Sequence, residues 1–492
     1  MFRRCVLSIG IVGLCAVTSA VSIHAQAGQA PPASQAVVIK GHAPVSNDLL
    51  QVKLPRPVEA DLPNGLHLIV LEDHRAPQVS FQILVRGAGG FFDPAGMPGL
   101  ASATATLMRE GTTTRTTQQI SETLETMAAS VGVGAGLTAP DATVSGSCLT
   151  ENFGATFALA ADVLLHPIFP DDEIARWVTR QRASLTQQRS SAAFLAAEAY
   201  QRAVYGAHPA SRVSMTADVL GQITHDALAT YHHTHYVPDH GVIAFAGDIS
   251  MAEARKAIDA TLAEWKKTGA ALPDVSDPPA IGSAKVLLVA RPGSVQTTLL
   301  VGTQAIARTS PDYDVLQMMN KVIGGGPTGR LFIHLREEKG YTYGASSGLS
   351  APRYRGDWQA TMDVRTEVTD PALTDLMAEI ARMRDEAVPQ KEFQDAQRAL
   401  VAAFALSLES PQGMLNSYIA RYLYQLPADY WDRYPARVMA VTPAQVQAAA
   451  RQYLAADRLQ IVAVGDAARI GGALKKFGTV ETYDADGKRI GG

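Results

Sequence analysis

Cysteine is almost absent from this chain. Three occur in 492 residues, and Cys5 and Cys15 lie at the extreme N-terminus, leaving Cys148 alone in the body of the sequence. No intrachain disulfide can staple a mature fold of this kind, so its stability must come from apolar cores, which a chain of this length can bury. Cys148 sits in the alternating run Ala142-Thr143-Val144-Ser145-Gly146-Ser147-Cys148-Leu149, the pattern of a half-buried strand, so a buried thiol is expected there rather than a nucleophile. An excess of one charge is missing too. Lys and Arg number 43 against 47 Asp and Glu, a net charge of −4 with the signs interspersed and no basic patch, which excludes nucleic acid as the expected partner. Beyond residue 21 no apolar run is long enough to span a bilayer.

The one sizeable apolar run, Val6 to Val21, follows Arg3 and Arg4 and precedes Ala25-Gln26-Ala27. That order is the order of a secretory signal peptide, residues 1–27, with the mature chain starting near Gly28 or after Ala25. The run is short for a retained anchor. The address is therefore outside the cytoplasm, and a periplasmic one is expected. Residues 28–48 are rich in Ala, Gln, Pro, Ser and Gly and read as a flexible leader.

Ordered structure is expected from Val58-Glu59-Ala60 onward. Asn64-Gly65 marks a hairpin turn before the strand Leu66 to Leu71, and a second strand runs from Val79 to Val85. Helices are expected over Leu100–Arg109 and Thr117–Ser130, then strands over Val131–Leu137 and Ala142–Leu149. A helical region from Glu151 breaks at Pro167 and Pro170 and resumes at Asp171-Asp172-Glu173, acids that suit a helix N-terminus. A helix over Ile223–Tyr236, a strand over Gly241–Asp248 and an amphipathic helix to Trp265 follow. Residues 267–282 hold three prolines and two glycines and read as a linker.

After that linker the pattern begins again. Gln78-Val79-Ser80-Phe81-Gln82-Ile83 is echoed by Gln296-Thr297-Thr298-Leu299-Leu300-Val301, and Ala244-Phe245-Ala246-Gly247-Asp248 by Val462-Ala463-Val464-Gly465-Asp466, both at a separation of 218 residues. Phe169-Pro170-Asp171-Asp172-Glu173 is matched by Val388-Pro389-Gln390-Lys391-Glu392 at a separation of 219. A repeat this long means two whole domains rather than a solenoid. Runs of strands alternate with runs of helices, so the fold class is α+β, with two homologous halves over residues 49–266 and 283–492, each a mainly antiparallel sheet with helices packed on it.

The second half contains a stretch with chemistry in it. Gly324-Gly325-Gly326 leads into a short helix with Leu331 and Leu335 on one face. Gly340 can end that helix in the left-handed conformation, and a strand follows from Tyr341 to Ser350. Arg336 then falls on the last helical turn and Tyr343 at the start of the strand. A guanidinium fork and a phenol suit an oxygen that gains negative charge. The other reading is an Arg capping helix carbonyls beside a half-buried Tyr. No Lys-Ser/Thr pair follows the glycines, so a phosphate cradle is not expected.

These residues together resemble the pitrilysin/insulinase family, in particular the group of mitochondrial processing peptidase and its bacterial relatives, over nearly all of the chain from about residue 50. Leu335-Arg336-Glu337-Glu338-Lys339-Gly340-Tyr341-Thr342-Tyr343 is similar to the family's second-half signature, whose Arg and Tyr help hold substrate. The resemblance implies a clamshell-like half chamber, bordered by a flexible loop at Gly324, Gly325 and Gly326. Active members carry H-x-x-E-H on a first-half helix, two imidazoles on one face for zinc and a Glu as general base. With Pro98-Gly99-Leu100-Ala101 and Glu110-Gly111-Thr112 aligned to the family's flanks, the ligand positions fall on Ser102 and Thr106 and the base position on Ala105. The third ligand, a Glu in the family, falls within Leu185-Thr186-Gln187-Gln188. Neutral hydroxyls and an amide are poor substitutes for imidazole and carboxylate at zinc, and Ala cannot take a proton.

The resemblance thus implies a chain with no metal of its own, working beside a homologous zinc-bearing subunit in a heterodimer and offering Arg336 and Tyr343 to a peptide substrate. A catalytically inactive peptide-binding scaffold is the second expectation. A third is an independent peptidase using a separate metal site in the cluster His232-His233-Thr234-His235-Tyr236-Val237-Pro238-Asp239-His240, which otherwise reads as a helix end with basic residues at its C-terminus.

Overall fold

The computed structural model describes residues 53–491. The expected signal peptide (1–27) and leader (28–48) lie outside the described residues.

In the first half, β1 (Val58–Asp61), β2 (His67–Glu72) and β3 (Gln78–Arg86) precede α1 (Leu100–Leu107) and α2 (Thr117–Thr126). Then come β4 (Ser130–Ala135), β5 (Asp141–Leu149), α3 (Phe153–Leu165), α4 (Asp171–Arg189) and α5 (Ala192–Tyr205). A short α6 (Ala217–Leu220), α7 (His225–His235), β6 (Val242–Gly247) and α8 (Met251–Thr261) complete it. The strands form one sheet in the order β1-β2-β6-β3-β5-β4, antiparallel except where β2 meets β6. Helix α2 stops earlier than its sequence suggests. Ala128 takes a left-handed φ of 47°, which turns the chain out of the helix and lets Ser130 begin β4.

The second half repeats the plan. It runs β7 (Lys285–Ala290), β8 (Gln296–Gln304), α9 (Tyr313–Ile323), α10 (Arg330–Phe332), β9 (Thr342–Ser350), β10 (Asp357–Arg365) and α11 (Thr369–Asp385). There follow α12 (Gln390–Ser407), α13 (Pro411–Leu423), α14 (Tyr434–Ala440), α15 (Pro443–Tyr453), β11 (Gln460–Gly465), α16 (Ala467–Leu474), β12 (Val480–Tyr483) and β13 (Arg489–Gly491). The sheet order is β13-β12-β7-β11-β8-β10-β9, so β4 and β9 occupy corresponding edges.

The central strands β6 and β11 are buried along their whole length, which explains why both read as unbroken apolar runs. Ile243 and Phe245 face a core shared with α3 and α8 of the same half. Val242, Ala244 and Ala246 face the other way, onto Met414, Leu415, Tyr418 and Ile419 of α13, a helix of the second half. The exchange is mutual. Leu195, Ala199, Tyr200 and Val204 of α5 cover Leu287, Leu300, Val462 and Val464 of the second sheet. Gly302 in β8 permits this docking, because a Cβ there would lie 2.3 Å from the Tyr200 hydroxyl.

Two aspartates at the starts of corresponding strands anchor the exchange. Asp357 accepts hydrogen bonds from Tyr200 at 3.0 Å and Tyr205 at 2.7 Å, both from α5, and burial pushes its carboxyl above the usual carboxylate range. Asp141 accepts from Arg353 of the second half at 2.9 Å. Cys148 is buried in β5 as a free thiol. Among the described residues no helix is long and apolar enough to cross a membrane.

Leu415 is fully buried against the opposite half's sheet. Leu415→Ala should therefore lower the unfolding free energy by about 2–5 kcal/mol. In a denaturant titration that loss is expected as a shift of one cooperative transition, since neither sheet is covered without the other half's helix.

Candidate functional site

Helix α1 starts at Gly99, whose φ of 105° suits glycine, and its first free N–H groups are met by a carboxylate from outside the helix. Asp93 accepts from Gly99 N at 2.5 Å and Ala101 N at 2.8 Å. Burial raises the Asp93 pKa, while these two hydrogen bonds and the Arg212 guanidinium 3.9 Å away oppose the rise. Asp93 was not legible as a cap because it stands six residues before the position where a helix cap is sought.

On α1, Ser102 and Thr106 are one turn apart, and the Thr106 hydroxyl donates to the Ser102 carbonyl at 2.8 Å. Ala105 is buried and Thr106 exposed. Ser102 lines a cavity of about 140 Å³ together with Gln181, Leu185 and Gln188 of α4 and with Ser214 and Met215. Of the two amides at the third ligand position, the structure brings Gln188 to Ser102 and leaves Gln187 exposed. The Gln188 amide donates to the Ser184 hydroxyl at 3.3 Å, and its Oε1 is buried with no hydrogen-bond partner among the described residues. Hydroxyl, thioether and amide groups around this cavity do not fit a zinc ion, which takes thiolate, imidazole or carboxylate ligands.

In the second half, the short helix is built differently from expectation. A single α-turn at α10 widens into a π-helix over Ile333–Glu338. Leu331 and Leu335 are both fully buried beneath it. The turn is clamped from two sides. Arg330 pairs in bidentate fashion with Glu392 of α12 at 2.7 and 3.0 Å, and His334 Nδ1 lies 2.9 Å from Glu379 of α11. Gly340, at φ 62°, ends the turn as expected. Arg336 is part-exposed, with its guanidinium 3.2 Å from Glu337 and 4.6 Å from the Phe332 ring centroid. Tyr343, on edge strand β9, is 93% exposed, so the half-buried Tyr of the alternative reading is not what the fold builds. No hydrogen bond or ring contact joins Arg336 to Tyr343 among the described residues.

Of the glycines at 324–326, packing accounts for the first two and conformational freedom for the third. Ser347 N donates to the Gly324 carbonyl at 2.9 Å, and a Cβ on Gly324 would sit 2.6 Å from that nitrogen. A Cβ on Gly325 would sit 2.7 Å from the Lys321 Cα. Gly326 takes a φ of 123°. The segment is thus a close backbone crossing between α9 and β9.

The histidine cluster separates. His232 Nε2 donates to the Leu164 carbonyl at 2.7 Å, His235 Nδ1 to Gly87 at 3.1 Å, and His240 Nε2 lies 3.2 Å from the Ala270 carbonyl. These three rings lie against three different backbone segments, and His233 is exposed. Among the described residues no three His, Cys, Asp or Glu side chains gather where they could share a metal ion. Burial lowers the pKa of His232 and of His235. A buried neutral imidazole keeps its full stabilising contribution above its unfolded pKa of about 6.5 and loses it as pH falls toward the folded value. Thermal melts at pH 7.5 and 5.5 should show a drop on acidification, and His235→Gln should make that drop smaller.

Two family models match the chain in succession: insulinase (peptidase family M16) over residues 68–212, and the peptidase M16 inactive domain over residues 222–400. An uncharacterized zinc protease of Bacillus subtilis, YmxG, is 22% identical over 360 residues, spanning 72% of this chain and 85% of that protein. The crystal structure of a peptidase M16 inactive domain from Pseudomonas fluorescens superposes with a TM-score of 0.77 at 27% identity, covering 83% of this chain and 98% of that one. The periplasmic protease PqqL from Escherichia coli shares the fold at 14% identity and a TM-score of 0.71, over 86% of this chain and 46% of that longer one. With the matches running through both halves, this chain belongs to the insulinase family, M16, and its residues 222–400 match the family's inactive domain.

Proposed function

We propose that this chain is the non-catalytic subunit of a secreted, periplasmic zinc metalloendopeptidase, and that it presents Arg336 and Tyr343 to a peptide held by a homologous zinc-bearing partner chain. One observation carries the reading. Ser102 and Gln188 line one cavity of neutral side chains between α1 and α4, and Thr106 is exposed on α1, while Arg336 and Tyr343 remain at the surface on a braced turn and an edge strand. Metal and base need one wall of a cleft. Donors for the carbonyl oxygen can come from the other, since they act on charge as it develops. In this arrangement the zinc belongs to the partner, and this chain's residues bind, orient and stabilise.

A second reading is a scaffold that holds extended peptides without cleaving them. The edge strands β4 and β9 support it, because each offers unpaired backbone groups to which a peptide strand can add. The two readings separate in a mixed complex. Arg336→Ala should lower turnover by about 10²-fold or more, in line with the loss of one oxyanion donor, with zinc content unchanged. Turnover equal to that of the unmodified complex would remove Arg336 from the mechanism. Peptide binding that persists with no turnover in any pairing would favour the scaffold.

A further inference from the structure

Beside α13, where the halves meet, Arg86 at the end of β3 and Arg421 on α13 line one pocket of about 510 Å³, with Tyr422, Gln425 and His240 around them. Both guanidiniums are largely withdrawn from water: their side chains are 10% and 15% exposed. Both are also short of acceptors. The carboxylate nearest Arg86 is Asp141, whose Oδ1 lies 3.4 Å from Arg86 Nε. That same oxygen already accepts from Arg353 at 2.9 Å and from the backbone N–H of Gly87 at 3.1 Å. Two guanidiniums therefore share one carboxylate. Arg86 Nε and Arg421 Nε are both buried and make no hydrogen bond among the described residues. Arg421 pairs with one oxygen of Glu59, and the other Glu59 oxygen lies 3.1 Å from His67 Nε2.

Burial at this site lowers the Arg86 pKa, and the neighbouring Arg353 acts in the same direction against Asp141. Buried guanidinium is costly unless its donors are met, and each Arg brings five N–H groups in a fixed fork. Both arginines border an open volume, and the side chains next to them are the carboxylate of Glu59, already engaged by Arg421, and a phenol, an amide and an imidazole, all hydrogen-bonding groups.

We propose that this pocket binds a small oxyanion, a carboxylate or a phosphate, held between Arg86 of the first half and Arg421 of the second. Arginine forks match the paired oxygens of both groups, and charge-assisted hydrogen bonds of this kind are the stronger ones. The volume exceeds what an inorganic ion needs, so a small organic anion fits. The pocket shares no lining residue with the Ser102 cavity and includes neither Arg336 nor Tyr343. Because its two arms come from opposite halves, an occupant ties those halves together and stabilises the folded chain by linkage.

The test is calorimetric titration of the unmodified protein with inorganic phosphate and, separately, with succinate, alongside thermal melts in which sodium chloride matches the ionic strength. Saturable binding of either anion is expected, with a rise in melting temperature that chloride does not reproduce; the stronger of the two arms identifies the headgroup. Arg86→Gln and Arg421→Gln should each weaken binding by about tenfold or more. If neither anion binds the unmodified protein saturably, the proposal is overturned without reference to any variant's folding. It is equally overturned if both variants fold and bind as tightly as the unmodified chain.

Discussion

The reciprocal docking of α5 and α13 is the interaction on which the rest of this molecule depends. A sheet with a fully buried central strand needs cover on both faces, and each half supplies only one layer of its own. The second layer comes from the other half, through Tyr200 and Leu195 in one direction and Leu415 and Tyr418 in the other. Two domains joined by a segment without helix or strand are therefore not two independent folding units. Their polar anchors follow the same logic: Asp357 takes its hydrogen bonds from α5, and Asp141 takes its Arg353 contact from the opposite half.

That exchange has consequences for chemistry. With α4 followed almost directly by α5, the helix that carries Gln188 is held by the same docking that closes the second sheet. The Ser102 cavity is lined by neutral side chains. Gln188 still brings a polar atom to it, and that atom has no partner among the described residues. In the second half the opposite has occurred. The π-helix is pinned by Glu392 and Glu379, so Arg336 stands on a braced turn, beyond which the chain enters β9 with Tyr343 uncovered. Loss of a metal-ligand set and retention of a supported Arg/Tyr pair are the physical content of the subunit reading.

Much of the fold was legible. The separation of 218 residues relating Gln78 to Gln296 also relates β2 to β7 and β6 to β11 in the structure. Central strands tolerate no insertion, because a one-residue slip would turn every side chain to the wrong face. The β5 and β10 strands start 216 residues apart, as expected where intervening loops are free to differ. The structure places Ser102 and Gln188 on the lining of one cavity, with Ala105 buried and Thr106 exposed. Glycine signals conformational freedom or close approach equally well; at Gly324 and Gly325 it is close approach, and at Gly326 a left-handed φ. The histidine run reads as a helix end, and in the structure His232, His235 and His240 lie against three different carbonyls.

The sequence by itself determined the duplicated α+β plan, the spacing of the core strands along the chain, and the neutral side chains at Ser102, Ala105 and Thr106, because periodicity and side-chain identity are local properties. Only the tertiary structure decided that the halves trade helices, that a π-helix carries Arg336, and that Arg86 and Arg421, distant in the chain, border the same pocket. Those are matters of which surfaces meet, and an apolar face written in sequence does not say whose partner it will be.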